Sequence, residues 1–336
     1  MRIAIDAMGG DHAPTEIVLG AVQALQANPP IDDLELVLVG IEDDIKRELE
    51  RNAYASNSLS IEPASQVIAM DESPVAAVKK KKDSSIARMV GMAAAKEVDA
   101  CISAGNTGAF AAACQLKLKS LAGVKRPGIA VVIPSFHGPI VLCDVGANIA
   151  AKPHHLYDYG LMASCYAHQV LKIESPRVGV LSIGEEAAKG TNLVKKTSDL
   201  LSRDAGINFV GNVEGRDFFS GQADVIVSDG FVGNVVLKVT EGMAEGLFKI
   251  IGTEIATEKP EWSQHFKSIM QNVWAKHDYS EYGGAPLLGV GGVCIICHGS
   301  SGARAIRNAV RVASEYHTVK LNEQIVESIG HAKERR

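Results

Sequence analysis

The chain lacks the short signatures from which the common nucleotide and hydrolase sites are built. No G-x-x-x-x-G-K-[ST] is present, which excludes a P-loop nucleotide hydrolase. No G-x-G-x-x-G follows the first apolar run, and the Gly289–Gly292 stretch precedes a strand, so an ordinary dinucleotide fingerprint is absent. There is no G-x-S-x-G elbow for a nucleophilic serine and no H-E-x-x-H. His154 and His155 are adjacent, so their side chains diverge on a helix. Aromatic residues are scarce at 5%, which leaves the core to Val, Ile, Leu and Ala. Basic excess is missing too: a net charge of −5 argues against a general nucleic-acid partner. No stretch approaches the roughly 18 uninterrupted apolar residues of a membrane span. The opening MRIAIDAMGGD is broken too early by Asp6 to act as a secretory signal, so a cytoplasmic location is expected.

Six cysteines are present: Cys101, Cys114, Cys143, Cys165, Cys294 and Cys297. Cys294 and Cys297 form a C-x-x-C inside the apolar run GGVCIICHG, which reads as a buried strand. Residues three apart on a strand point to opposite faces, a poor geometry for one metal or one disulfide. With no second C-x-x-C to complete a zinc site, buried free thiols are expected and no metal.

What is there is a regular alternation. Strands are expected at Ile3–Asp6, Leu36–Val39, Ala100–Ser103, Ile129–Ile133, Ile140–Cys143, Val178–Leu181, Val225–Val227 and Val293–Cys297. Helical periodicity separates most of them, as over Ala13–Gln26, Ser84–Lys96 and Leu156–Val170. Near-continuous apolar strands alternating with helices imply an α/β, doubly wound fold with a parallel-rich sheet, read as a single domain over residues 1–336. From Asn234 to about Lys276 the pattern stays helical with a break at Lys259-Pro260, which predicts a projecting helical arm.

Ligands of such sheets bind beyond the carboxyl ends of the strands. Six strand ends there carry small or polar residues: Asp6–His12 with Gly9, Gly10 and Asp11; Ser103–Ala109 with Gly105, Asn106, Thr107 and Gly108; Asp144–Asn148; Gly184–Thr191 with Lys189; Ser228–Asn234 with Asp229, Gly230 and Gly233; and His298–Gly302. Backbone N–H groups exposed at a strand-to-helix turn bind anions, phosphate above all. Gly and Asn also serve simply as positive-φ turns and caps. Six such loops on one predicted edge favour a phosphate-handling enzyme, one without an evident covalent nucleophile or metal.

The loops taken together resemble the phosphate acyltransferases of bacterial phospholipid synthesis, the PlsX family. The marks are IAIDAMGGDHAP at the start, ISAGNTGA at 102–109, LCDVGAN at 142–148, IGEEAAKG at 183–190, SDGFVGNVVLK at 228–238, YGGAPLLGV at 282–290 and CHGSS at 297–301. The likeness runs from Met1 to about Glu315. It implies a fold similar to those of isopropylmalate dehydrogenase and phosphotransacetylase, and a homodimer. The acyl donor it implies is an acyl-acyl-carrier-protein, and the product an acyl phosphate that feeds a membrane glycerol-3-phosphate acyltransferase. No cofactor is implied.

Phosphate is already anionic near neutral pH, so the enzyme needs to position it, stabilise an oxyanion and let a thiolate leave. Lys189 is the first candidate for the cation meeting phosphate or the oxyanion, and Lys238 the second; otherwise they are a solvated lysine and a helix-surface lysine. Asp229, Asn234 and His298 are candidates to orient these groups, with His298 a further candidate donor to the departing sulfur. Gly9, Gly10, Asp11, Gly105–Gly108, Asn148, Gly230 and Gly233 are the expected phosphate and thioester contacts. The run Lys79-Lys80-Lys81-Lys82 is either a solvated face or a docking site for an acidic carrier. Trp262, Phe266, Ile269, Met270, Val273 and Trp274 form one apolar stripe. That 262–274 stripe packs on the partner subunit or touches the bilayer interface, which would give peripheral membrane association.

Overall fold

A computed structural model describes residues 1–277 and 282–335, with side chains for all of these except 271–277. Its strands are β1 (Arg2–Asp6), β2 (Glu35–Gly40), β3 (Leu59–Pro63), β4 (Ala100–Ser103), β5 (Gly128–Ile133), β6 (Ile140–Cys143), β7 (Arg177–Ser182), β8 (Asn208–Glu214), β9 (Val225–Val227), β10 (Ala285–Leu288) and β11 (Val293–Ile296). The helices are α1 (Thr15–Leu25), α2 (Glu42–Arg51), α3 (Pro74–Lys80), α4 (Ser85–Ala94), α5 (Thr107–Lys117), α6 (Pro153–Gln169), α7 (Asn192–Ser202), α8 (Gly230–Glu258), α9 (Ser263–His277), α10 (Ala303–Thr318) and α11 (Leu321–Glu334). All eight strands expected from the sequence recur, and β3, β8 and β10 are added.

The strands form one sheet in the order β3-β2-β1-β4-β11-β10-β5-β6-β9-β7-β8. Alternate residues feed opposite faces. Ile3, Ile5, Ile102 and Ile295 pack under α1, α6 and α10, whereas Ala4, Cys101, Cys294 and Ile296 pack under α4 and α5. Each large aliphatic or aromatic residue so buried, such as Ile5 or Phe110, stabilises the fold by about 1.5–3 kcal/mol. Cys294 and Cys297 fall in the cores on opposite faces of the sheet, as their spacing requires.

Direction within the sheet corrects one expectation. β11 is parallel to β4, and β10 is antiparallel to both β11 and β5. β5 and β6 form an antiparallel pair from Ala130↔Cys143 to Ile133↔Ile140, and β9 and β7 continue parallel to β6. The half containing β6, β9 and β7 therefore runs opposite to β1, β4 and β11. The six glycine loops do not share one edge: those after β1, β4 and β11 open at one edge, and those after β6, β7 and β9 at the other. The reversal is made by the turn before β6, where Gly138 takes φ 111° and Ser135 Oγ donates to its carbonyl at 2.7 Å.

The helical arm begins at Gly230, ahead of the expected Asn234, because Asp229 caps α8. At 29 residues α8 is about 43 Å long. It ends at the expected break, and Pro260–Trp262 form a single 3-10 turn before α9.

Candidate active site

At the first edge three loops meet through glycine. A Cβ on Gly9 would lie 2.5 Å from Asp6 Oδ2 and 2.6 Å from the Gly105 nitrogen, so only glycine lets the loops after β1 and β4 touch. The Asp11 N–H donates to the Gly299 carbonyl at 2.7 Å, tying in the loop after β11. Asp6 underlies the junction: its Oδ2 accepts from Ser103 Oγ at 2.7 Å and its Oδ1 from the Met8 N–H at 3.2 Å. Burial pushes the Asp6 carboxyl above the usual carboxylate range, partly offset by the hydroxyls of Ser85 and Ser103.

Asn106 and Thr107 divide the work of the second loop. Asn106 Oδ1 accepts from the Ala109 N–H at 3.0 Å and caps α5. Its Nδ2 donates to the carbonyls of Ala69, Met70 and Glu72 at 3.1, 3.2 and 3.1 Å, which fixes a strap above the sheet. The Asn106 amide is thus a positioning group, and the strap brings Met70 into the site. Thr107 opens α5, and its helix N-terminus favours negative charge. Gly108 lets α3 approach, since a Cβ there would lie 2.7 Å from Pro74 Cγ.

At the opposite edge the loops after β6 and β9 lock together around Asp144. Its Oδ1 accepts from the Ile129 and Ala147 N–H groups at 2.9 and 3.1 Å, and its Oδ2 from the Asn148 N–H at 2.7 Å. Burial raises the Asp144 carboxyl, and these N–H donors pull it back. Asn148 Nδ2 donates to the Pro127 carbonyl at 2.6 Å, so this side chain braces the loop. Asp229 accepts from the Phe231 and Val232 N–H groups at 3.0 Å each and is the cap of α8. A Cβ on Gly230 would lie 2.8 Å from Asp144 Oδ2, and one on Gly233 would lie 2.0 Å from the Asp144 carbonyl oxygen.

Between the two groups lies a cleft of about 320 Å³. Asp11, Thr107, His298 and Gly299 reach it from one side, and Val145, Asn234, Lys238 and Glu241 from the other. Ile129, Val131, Leu237 and Ile296 make its apolar wall. Asn234, Leu237, Lys238 and Glu241 are spaced i, i+3, i+4, i+7, one face of α8. Val232, Val235, Val239, Met243, Leu247 and Ile250 form an exposed apolar stripe on the other face. Lys238 Nζ lies 2.8 Å from Glu241 Oε2 and 3.0 Å from His298 Nε2, so a single ammonium links the helix to the loop after β11. Cys297 also lines the cleft, and burial pushes its thiol up to about 12, which keeps it protonated at neutral pH.

The cleft thus joins Asp11, Thr107, Asn234, Lys238 and His298 from the expected set. Lys189 is not among its lining residues. It sits exposed in the loop after β7, its N–H donating to the Glu186 carbonyl at 2.9 Å, beyond β9 from the cleft. The strand order sets it there, because β9 stands between β7 and β6. Of the lysine run, Lys79, Lys80 and Lys82 are exposed, while Lys81 Nζ is held by Glu72 and by the Val67 carbonyl at 2.7 Å. Trp262 and Ile269 are exposed, Phe266 and Met270 half-buried; the side chains of Val273 and Trp274 lie outside those described. Glu241, Met70 and Cys297 are additions. The i, i+3 spacing of Lys238 and Glu241 is a legible signal, whereas Met70 enters only through the Asn106 strap.

Among the described residues no group of His, Cys, Asp and Glu could hold a metal ion, and no helix is long and apolar enough to cross a membrane. A family model described as "Fatty acid synthesis protein" matches residues 1–324. The chain is 49% identical over 320 residues to a phosphate acyltransferase of Halothermothrix orenii, covering 94% of each. It is 43% identical over 340 residues to that of Dictyoglomus turgidum, covering 100% of this chain and 99% of the relative. A phosphotransacetylase from Streptococcus pyogenes superposes with a TM-score of 0.63 at 15% identity, over 95% of this chain and 94% of that one. A branched-chain phosphotransacylase from Enterococcus faecalis gives 0.58 at 13% identity, over 94% and 99%. These last two share the fold. With such identity along nearly its whole length, the chain belongs to the phosphate acyltransferase family of lipid-synthesising enzymes, which transfer an acyl group to phosphate.

Proposed function

We propose that the acyl donor is a fatty acyl thioester of acyl carrier protein, and that inorganic phosphate attacks it directly to give an acyl phosphate for phospholipid synthesis. One phosphate oxygen bonds to the carbonyl carbon, the C–S bond breaks, and the electron pair leaves on sulfur, which then takes a proton. The observation that carries this reading is a cleft with an apolar wall and one ammonium at its polar end, Lys238, held between Glu241 and His298. An ammonium has three hydrogens. Glu241 and His298 engage two of them, which leaves the third for the phosphate or the developing oxyanion. Lys238 replaces Lys189 as the first candidate cation because it lines the cleft and Lys189 does not. The first turn of α5 at Thr107 is the proposed phosphate cradle, and Asn234 orients the thioester. The apolar wall takes the start of the acyl chain.

The exposed Lys79, Lys80 and Lys82 are the proposed docking site for the acidic carrier. The exposed stripe of α8 is assigned to a homodimer, and the 262–270 turn of the arm to the partner subunit or to a lipid surface near the membrane glycerol-3-phosphate acyltransferase that takes the product. The test incubates the protein with long-chain acyl carrier and phosphate and measures free thiol and acyl phosphate together. Wild type releases the two in equal amounts, Lys238→Met loses about 10²-fold or more in turnover, and Lys189→Ala stays near wild type. Equal turnover of Lys238→Met and wild type removes this lysine from the mechanism. Triple reversal of Lys79, Lys80 and Lys82 to Glu raises KM for the carrier substrate while leaving acyl-CoA turnover alone. An unchanged carrier KM and salt dependence excludes the docking role.

A further inference from the structure

We infer that Met70 is a specificity-determining residue for the acyl chain: it covers the chain on the face turned away from the apolar wall of the cleft, and so favours long donors over short ones. The inference rests on the reading of the cleft as the seat of an acyl thioester and extends it to the opposite side. The wall is made by Ile129 and Val131 of β5, Leu237 of α8 and Ile296 of β11. A chain laid on that wall keeps its other face in water unless something closes over it, and every methylene left uncovered loses the favourable transfer out of water.

Asp11, Thr107 and His298, which reach the cleft from the other side, are polar, and Met70 is the large apolar side chain that joins them. Its methyl lies 3.3 Å from where a Cβ on Gly299 would stand, so the tip of the side chain rests over the bare backbone of the loop after β11. The residue lines the cleft while 53% exposed, which puts it at the mouth. An unbranched, polarisable thioether adapts to the irregular surface of a flexible chain. The backbone beneath it is fixed. Asn106 Nδ2 donates to the carbonyls of Ala69, Met70 and Glu72, Glu72 Oε1 accepts from the Ala69 N–H at 2.7 Å, and Lys81 Nζ ties Glu72 to the Val67 carbonyl. None of these bonds uses the Met70 side chain, so its replacement leaves the strap in place. A pinned strap that carries one adaptable apolar group across from the wall has its position set by backbone and its fit set by the side chain.

The test measures kcat/KM of wild type, Met70→Ala, Met70→Gln and Met70→Leu with butanoyl and hexadecanoyl thioesters of one acyl carrier protein, so that carrier docking cancels from the ratio of the two donors. Wild type favours the hexadecanoyl donor. Met70→Ala lowers that ratio about tenfold, the discrimination that a lost apolar contact of this size brings. Met70→Gln, of similar length but polar, lowers it likewise, and Met70→Leu restores it. A wild type without preference for the longer donor overturns the inference, as does an unchanged ratio in Met70→Ala. A wild-type ratio in Met70→Gln also overturns it, since the side chain would then act by bulk and not by apolar cover. In each of these cases acyl phosphate still forms, so Met70 loses its role while acyl transfer stands. A wild type that forms acyl phosphate from neither donor removes the acyl-transfer reading, and this inference with it.

Discussion

An alanine at Gly233 tests whether the seat of α8 on the loop after β6 sets the geometry of the cleft. The added Cβ would lie 2.0 Å from the Asp144 carbonyl oxygen and 2.7 Å from Ser228 Oγ. A carbon and an oxygen meet at about 3.3 Å or more, so helix or loop must retreat by roughly 1 Å. Neither gives easily, since Asp144 is held by three backbone N–H groups and α8 starts at its Asp229 cap. Overpacking of this kind costs about 1–3 kcal/mol, against which alanine recovers about 1 kcal/mol of helix propensity. The net loss of up to about 2 kcal/mol lowers Tm by roughly 2–8 °C. Lys238 rides on the displaced helix, and a shift of about 1 Å in a positioned group removes about 10²-fold in turnover.

Gly242, on the same helix, supplies the control. A Cβ there meets nothing within 4 Å, so Gly242→Ala gains about 0.8–1.0 kcal/mol of helix propensity and raises Tm with turnover unchanged. The same substitution within one helix is expected to carry opposite signs. Differential scanning calorimetry and the thiol-release assay read both effects. Wild-type Tm and turnover in Gly233→Ala would show that the contact does not place the helix.

Three further outcomes follow from the same contacts. Cys297→Ala retains turnover within about threefold, because a thiol pushed up to about 12 is no nucleophile at neutral pH; loss of turnover in a folded variant would demand an acyl-cysteine and exclude direct attack. Asp204 is desolvated, yet hydrogen bonds from Arg335 and Tyr157 hold its folded-state carboxyl below the usual range. Its contribution is therefore present above its unfolded value of about 3.9 and lost as pH falls through the lower folded one, so the Tm gap between wild type and Asp204→Asn, worth about 1.5–3 kcal/mol at pH 7, closes on acidification. A gap that persists in acid would show the pairing to be uncharged. Tyr159 is fully buried and its hydroxyl finds no partner among the described residues, so Tyr159→Phe leaves stability unchanged or raises it by about 1 kcal/mol at most, read as a held or raised Tm; a clear fall would reveal a bound water or a hidden acceptor.

The inner strands were readable because residues buried on both faces form short apolar runs, as Ile3–Asp6 and Ala100–Ser103 do. The added strands lack that signature. β3 carries alternating polar residues at an edge, β8 is broken by Gly211 at φ 99°, and β10 is a four-residue piece containing Pro286. Strand direction was not readable, since periodicity reports which residues are buried and says nothing of which way the chain runs. Strand order was not readable either, and it is order that sets Lys189 apart: its loop opens at the same edge as those after β6 and β9, but on β7, beyond β9 from the cleft. Gly9 and Gly233 are legible as backbone constraints, because close approach there excludes every other residue. Asn106 and Asn148 brace loops and Asp229 caps a helix, and a side-chain amide or carboxylate that does so has the same sequence signature as one that meets a ligand.

The reversal also explains why α8 is the organising element. Two groups of loops at opposite edges cannot form a pocket by themselves. A helix that starts at one edge and runs toward the other can connect them, and from Gly230 to Lys238 α8 advances about 12 Å. Its cap, Asp229, and its glycine seats, Gly230 and Gly233, belong to the loops after β6 and β9, while its Lys238 pairs with His298 after β11. The distance between the proposed phosphate cradle at Thr107 and the proposed cation, Lys238, is then set by the axial position of one helix rather than by a flexible loop. Rigid placement of this kind is what the proposed direct attack requires, because a transfer without a covalent intermediate must hold nucleophile, carbonyl and counter-charge in register at once.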